Sequence, residues 1–321
     1  MLKISRLRNG PSTGDHFLLF VMLTEITDKG RNAATLSFVR NHPDKSMKNL
    51  LLFVLFLTAQ VVLAQTPPVG VQLYSFRNQF AKDVPGTMAK VRDMGIKYVE
   101  LAGTYGMPVP EFMKMLKDHG ITAIGGSADF AKLDKDPMGV VNDNKPFGVQ
   151  YVTCFWIPHN GNDFTIDDAK KAVEVFNRAG KLLADNGLKL TYHNHGYEFR
   201  PYENGTLFDY IAKNLDPRYC NFEMDVFWVK HPGQEPVALL KKYPNRFPLV
   251  HLKDRKPGTP GNQDGRADVE TNVPLGQGDI GIAEFMKVAG QYGVKYMFIE
   301  DESSRSMEQV PQSLAFLRTV K

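Results

Sequence analysis

Cysteine is almost absent: the 321-residue chain holds two, Cys154 and Cys220. Neither belongs to a Cys-x-x-Cys pair or a nucleophile motif, and both sit inside apolar, strand-like runs. A disulfide scaffold is therefore excluded, and both read as packing residues. No Pro- or Gly-rich linker divides the chain and no segment is of low complexity. Net charge is also missing where a polyanion would need it. Of 39 Lys and Arg and 35 Asp and Glu, residues 1–64 take eight basic and four acidic, leaving 31 of each sign in residues 65–321. A neutral body offers no basic face, which argues against nucleic acid or an anionic membrane surface as partner.

A long apolar run is lacking too, but a short one is present. From Met47 the chain reads MKNLLLFVLFLTAQVVLAQTPP, with one lysine, an apolar core over residues 50–57 and the small-residue pattern Val62-Leu63-Ala64. That layout predicts a secretory signal peptide over residues 47–64. A buried helix or a membrane anchor is the competing reading, yet the run falls well short of the roughly 20 residues that span a bilayer. Residues 1–46 lie upstream of this signal, so they are expected to be a misassigned extension, with translation starting at Met47. The mature chain is then expected to cover residues 65–321, exported and periplasmic, with no stable membrane insertion after cleavage.

From Val69 onward, strand-like runs alternate with helical patterns. The runs are VGVQLYSF (69–76), KYVELA (97–102), ITAIGGS (121–127), VQYVTCFW (149–156), LKLTYHNH (188–195), CNFEMDVF (220–227), FPLVHLKD (247–254) and KYMFIEDE (295–302). Between them, stretches such as PVPEFMKMLKDHG, TIDDAKKAVEVFNRAGKLLADNG and GIAEFMKVAGQYG carry apolar residues at three- and four-residue spacing. Gly95, Gly120, Gly187 and Gly293 punctuate helix ends just before the next strand. Eight such repeats in some 257 residues (321 less 64) predict the α/β class and a single (β/α)8 barrel. A doubly wound open sheet is the runner-up, but its Gly-rich phosphate turn after the first strand is missing. Two long loops, WIPHNGNDF and DRKPGTPGNQDGRADVETNVPLGQGD, follow the fourth and seventh strands, on the face where such a barrel keeps its active site.

The C-terminal strand ends of a barrel converge, so polar residues there meet even when distant in sequence. They are Gln72 and Tyr74, Glu100, His193 and His195, Asp225, His251 and Lys253, and Glu300 with Glu302. Residues two apart are expected to share a face. His193, Asp225, His251 and Glu300 make a mixed nitrogen and oxygen set suited to one divalent ion such as Mn, Zn, Co or Fe. The competing readings are a hydrogen-bonded core histidine for His193, and an ion pair with Lys253 or Arg255 for the carboxylates. Lys253 is a candidate to polarise a carbonyl or act as a base, or else a counter-ion of Asp225 or Glu300. Glu198 and Arg255, just past strand ends, suit hydroxyl recognition, against a solvated loop salt bridge. Trp156, Tyr74, Phe227 and Trp228 are sized to stack on a sugar ring, or to pack in the core, and His159 is a further candidate on the fourth loop.

The pieces GVQLYSFR, YVELAG, YHNHGYEF, MDVFWV, HLKDR, PLGQGDI and FIEDE together resemble the xylose-isomerase-like TIM-barrel superfamily, often labelled sugar phosphate isomerase/epimerase. The resemblance covers residues 68–320. It implies one divalent metal held by an acid of the fifth strand, an Asp of the sixth, a His of the seventh and a Glu of the eighth. Asp225, His251 and Glu300 match the last three. His193 stands where the common form has a glutamate, which in the epimerases is also one of two acid/base groups, so this chain departs from the two-carboxylate mechanism. Glu198 is similar to the nearby family glutamate that helps hold substrate.

The resemblance further implies proton removal next to a carbonyl, with the metal bound to substrate oxygens. His195, Lys253 and Glu100 are the candidate acid/base groups; Gln72, Tyr74, Glu198, Arg255 and Trp156 are the candidate substrate contacts. An isomerase or epimerase is the first expectation. Export, and the want of a phosphate cradle, point to an unphosphorylated keto-sugar or keto-glycoside as the small-molecule partner. The alternatives are a lyase that expels the aglycone of a 3-keto-glycoside by β-elimination, and a carbohydrate-binding barrel without turnover. Homo-oligomerisation stays open.

Overall fold

Most barrel strands are short runs rich in β-branched, aromatic and other large apolar residues. The computed structural model describes residues 66–320, so the extension expected at residues 1–46 and the signal peptide expected at 47–64 lie outside the described residues. The strands are β1 (Val69–Gln72), β2 (Tyr98–Glu100), β3 (Thr122–Ser127), β4 (Tyr151–Cys154), β5 (Lys189–His193), β6 (Cys220–Asp225), β7 (Leu249–Leu252) and β8 (Tyr296–Ile299). They close into one barrel in the order β1-β8-β7-β6-β5-β4-β3-β2, with every neighbouring pair parallel. The expected (β/α)8 barrel is the fold of this protein.

Helices cover the outside. The longest, Ile166–Asp185, starts at a capping box of Thr165 and Asp168 and turns seven buried residues toward the sheet. The expected glycine stops are real: Gly95, Gly120, Gly187 and Gly293 all take positive φ, between 67° and 91°, which only glycine adopts without strain. Among the described residues no helix is long and apolar enough to cross a membrane.

Strand alternation sorts the interior from the shell. Val71, Val99, Val152, Leu190, Met224 and Val250 belong to the large apolar cluster between sheet and helices. Ile124, Tyr151, Leu249 and Phe298 form a separate cluster, with Tyr98 and Tyr296 packed against it. These point the other way and plug the barrel floor. One pleat higher the interior turns polar: Glu100, Thr153, Thr191, Glu223 and His251 are all fully buried. The site rests on that polar layer.

The strands end earlier than their apolar runs. Gln72 closes β1 by capping a 3₁₀ turn, Leu73–Phe76, its side chain accepting from the Tyr74 N–H at 3.0 Å. Tyr74 thereby leaves the sheet and is 44% exposed while Gln72 is buried, so the two do not share a strand face as expected. The cause is local: a side-chain cap competes with the ladder for the backbone.

Candidate active site

Register decides which side chains meet. His193 stands beside Glu223 across the β5–β6 ladder, and Asp225 beside His251 across β6–β7. The Glu300 N–H continues the β7–β8 ladder by donating to the Leu252 carbonyl at 3.1 Å. Asp225 is also the N-cap of the helix Val226–Lys230, its Oδ1 accepting from Phe227 at 2.7 Å and Trp228 at 3.2 Å. That leaves Oδ2 free to face the barrel axis.

Both central histidines are backed by a buried carboxylate. His251 Nε2 lies 2.7 Å from Glu100 Oε2. Glu100 is itself held by Gln72 Nε2 at 2.7 Å and Thr153 Oγ1 at 3.2 Å, and Thr153 leans on Thr191 at 2.8 Å. An ionised carboxylate only accepts, so the proton on this contact belongs to Nε2 and the other ring nitrogen, Nδ1, faces Glu300 Oε2 at 3.2 Å. His193 Nδ1 lies 3.3 Å from Glu223 Oε2, and its Nε2 is 3.6 Å from Asp225 Oδ2.

Lys253 completes the ring. Its Nζ is 3.1 Å from Glu300 Oε2 and 3.7 Å from Asp225 Oδ2, and it donates to Glu302. Burial pulls Lys253 down, but Glu300, Glu302 and Asp225 outweigh it and hold the ammonium well above its ordinary value. For His251 burial also works downward, and Glu223, Glu300 and Glu100 reverse it, raising the imidazole well above its usual range. His193, buried and next to His251 and His195, is driven well below and stays neutral. Burial, then the neighbouring Glu100, pushes Glu223 up to about 8. Burial, only partly offset by Lys253, pushes Asp225 up to about 6.

These directions describe one imbalance. Five carboxyl groups, Glu100, Glu223, Asp225, Glu300 and Glu302, crowd around Lys253 and His251, and Glu223 and Asp225 are pushed toward holding protons. Glu223 Oε1 and Asp225 Oδ2 are buried with no hydrogen-bond partner, a costly state for a charged oxygen. Donor atoms of Asp225, His251 and Glu300 all lie within 4.8 Å of one another, as do those of His193, Glu223 and His251. A divalent cation fits this donor set, because it supplies the missing positive charge and takes mixed nitrogen and oxygen ligands.

Above the ring opens a cavity of about 410 Å³, lined by Gln72, Tyr74, Leu101, Ala102, Ser127, Phe155, His193, His195, Glu300 and Glu302. None of these is a lysine or arginine, so no cation among them greets a phosphate. His195 is partly buried beside Trp156 and Trp228; its Nδ1 has no hydrogen-bond partner. Burial, reinforced by Lys253, holds its pKa at about 3.

Residues 88–320 match the family model of the xylose isomerase-like TIM barrel. The chain belongs to this family. A sugar phosphate isomerase/epimerase from Parabacteroides distasonis is 25% identical and superimposes with a TM-score of 0.66, over 80% of this chain and 96% of that one. An inosose dehydratase from Clostridium tetani is 32% identical over 92 residues, which span 28% of this chain and 30% of that relative. The likeness to that dehydratase thus covers under a third of its length. The IOLI protein, described with a bound zinc atom, shares the fold at 12% identity and a TM-score of 0.59, over 79% of this chain and 98% of that one.

Within this xylose isomerase-like barrel, the residues anticipated from sequence separate into two groups. Asp225, His251, Glu300, His193, Lys253 and Glu100 converge, while His195, Gln72 and Tyr74 line the cavity with Glu302. Glu100 sits beneath the ring, fully buried, with both oxygens engaged, so it orients His251 and does not face a substrate. Glu198 is fully buried and accepts from Tyr192 and from the His195 and Gly196 N–H groups; it braces the β5 loop below the rim. Arg255 pairs with Asp279 at 2.9 Å and lines a different depression, beside His231 and Thr259. Trp156 is 37% exposed and stacks on His159, outside the cavity lining.

The two long loops meet here. Arg200 bonds Asp163 of the first at 2.9 Å and the Gln263 carbonyl of the second at 3.3 Å. Asp254, from HLKDR, accepts from the Gly276, Gly278 and Ile280 N–H groups of PLGQGDI, which ties those two motifs into one turn. Glu223 is the residue that sequence reading passed over. Its signal was present, since CNFEMD puts Glu223 two before Asp225 and hence on the same strand face.

Proposed function

We propose that this protein removes a proton next to the carbonyl of an uncharged keto-sugar or keto-glycoside, using a divalent cation held by Asp225, His251, Glu300 and His193, and completes the reaction by β-elimination. The cation, when bound, supplies the Lewis acidity that makes such a carbon acidic. The observation that carries elimination over epimerisation is the scarcity of free acid/base groups in the cavity. Epimerisation needs two, one on each side of the reacting carbon. Glu100 is saturated by Gln72, Thr153 and His251, Lys253 is held between Glu300, Asp225 and Glu302, and the fifth-strand acid is His193. Of the three acid/base candidates His195 remains, neutral and lining the cavity.

One base is enough for elimination. With a ketone at C3 of a glycoside, His195 takes the C2 proton, the electron pair forms the enolate, and the C1–O bond breaks as the C1–C2 double bond forms. His195 then returns its proton to the departing aglycone oxygen. A base of pKa about 3 works only on a strongly acidified carbon, and that acidity is what the cation would supply. Phe155 and Tyr74 offer apolar surface to the ring, and Ser127 a hydroxyl. The cavity of about 410 Å³ exceeds what one pyranose ring needs, leaving space for an aglycone. The absence of lysine and arginine from its lining supports an unphosphorylated substrate. The signal-like segment at residues 47–64 supports an exported, periplasmic enzyme.

The test incubates metal-loaded protein with 3-keto-glycosides and free ketoses in deuterated water. Aglycone release with formation of an unsaturated keto-sugar is expected. Deuterium entering a recovered epimer without aglycone release would replace this reading with epimerisation, and no exchange by metal-loaded protein would replace both with a non-catalytic sugar-binding barrel.

A further inference from the structure

The fifth strand carries His193 where the family resemblance implies a carboxylate, and Glu223 of the sixth strand stands beside it. We propose that Glu223 is a positioning residue that makes His193 a metal ligand, replacing from β6 the acid that β5 lacks. The inference rests on the cation site proposed above and adds to it a residue that completes it.

Three observations converge. First, Glu223 and His193 are register partners on adjacent parallel strands, so their side chains leave the sheet side by side into the barrel and the contact is built into the ladder. Second, Glu223 Oε2 sits 3.3 Å from His193 Nδ1, and the opposite nitrogen of that ring, Nε2, lies 3.6 Å from the unpartnered Asp225 Oδ2. A neutral imidazole has one N–H and one lone pair. Donation of Nδ1–H to Glu223 leaves the lone pair on Nε2, the nitrogen beside the ligand oxygen of Asp225. Third, the arrangement repeats in mirror order at His251, where Glu100 holds Nε2 and frees Nδ1 toward Glu300. In both cases an ionised carboxylate would fix the tautomer and turn of a ring placed to ligate, the usual arrangement behind metal-bound histidines; Glu223, pushed up to about 8 in the metal-free protein, takes that form above this pH or beside a bound cation.

Phe155 holds the ring from a further side, its centroid 5.1 Å from that of His193, so the ring plane is packed and its tautomer is the remaining freedom. Glu223 is fully buried and absent from the cavity lining. It therefore touches His193 and His251 but not substrate, and its effect on turnover passes through the rings.

Two measurements test this. Cobalt(II) affinity and its visible absorption spectrum are recorded for wild type, Glu223→Ala, Glu223→Gln, His193→Ala and the Glu223→Ala/His193→Ala double variant, with thermal unfolding of each metal-free protein as the check on folding. Glu223→Ala is expected to weaken cobalt binding about 10- to 100-fold and change the spectrum as a ligand nitrogen is lost. Glu223→Gln, whose amide oxygen still accepts from Nδ1–H, should recover most of the loss. The double variant should bind no worse than His193→Ala alone. Folded Glu223→Ala or Glu223→Gln with wild-type affinity and spectrum would overturn the proposal. The second measurement reads the His193 ring by nitrogen-15 NMR in metal-free protein above pH 8, where Glu223 is ionised and Nδ1–H is expected; an Nε2–H tautomer there overturns it. If wild type binds no cobalt, the cation reading above fails, while the tautomer still decides the role of Glu223.

Discussion

Glu100 and His251 meet at 2.7 Å, carboxylate oxygen to Nε2, although 151 residues separate them in the chain. With Glu100 accepting from Nε2–H, Nδ1 is the ring nitrogen left facing Glu300, the one the proposed cation would take. Removing the Glu100 carboxylate with Glu100→Ala should therefore weaken divalent-metal affinity about 10- to 100-fold, while Glu100→Gln, which keeps an acceptor oxygen, should lose less. Competition with a chromophoric chelator measures both.

Gly125 makes room for that carboxylate. A Cβ there would come 2.8 Å from Glu100 Oε1 and 3.0 Å from its Cγ. Gly125→Ala should cost about 1–3 kcal/mol of stability by overpacking and, by displacing Glu100, lower metal affinity as well. Denaturant unfolding together with metal titration checks the pair of effects; unchanged affinity would separate Glu100 from the metal.

Lys253 is 2% exposed and contacts three carboxylates. Lys253→Met should destabilise the metal-free protein by about 3–5 kcal/mol, because it strands buried charge. Excess divalent cation should restore part of that loss by binding only the folded state. Chemical unfolding with and without metal tests it, and equal destabilisation in both conditions would show that the cation does not share the charges of Lys253.

Acidity should act on the metal-free and metal-loaded protein in opposite directions. His251 is raised well above its ordinary value by Glu223, Glu300 and Glu100 against the pull of burial. A raised imidazole stabilises the fold fully below its unfolded pKa of about 6.5 and loses that contribution as pH rises through the higher folded value. Metal binding instead requires that proton to leave, so affinity rises with pH and binding releases protons. Thermal unfolding across the neutral range should show stability falling with pH for the metal-free form and the metal-induced increment growing; calorimetry in buffers of different ionisation enthalpy counts the protons.

The barrel was legible from local pattern alone. Eight apolar runs, helical spacing between them and glycines at Gly95, Gly120, Gly187 and Gly293 are short-range signals, each set by the geometry of a few neighbouring residues. Strand ends were read too long, because Gln72 and Asp225 spend side-chain oxygens as caps and turn the chain out of the sheet. The convergence of Asp225, His251, Glu300 and His193 also followed from strand order, since the ends of parallel strands share one face. Roles within that convergence did not. Glu100 reads from sequence as a free acid/base group and Glu198 as a substrate contact, while for Lys253 and Arg255 the sequence leaves a chemical role and an ion pair open, and the structure shows the ion pairs. Their hydrogen-bond partners are 28 to 151 residues away for Glu100 and 24 away for Arg255, while Glu198 spends its oxygens on a loop that folds back over it. Whether a polar side chain is free for chemistry depends on which acceptors and donors packing has already used, and that is settled only when barrel closure sets the register.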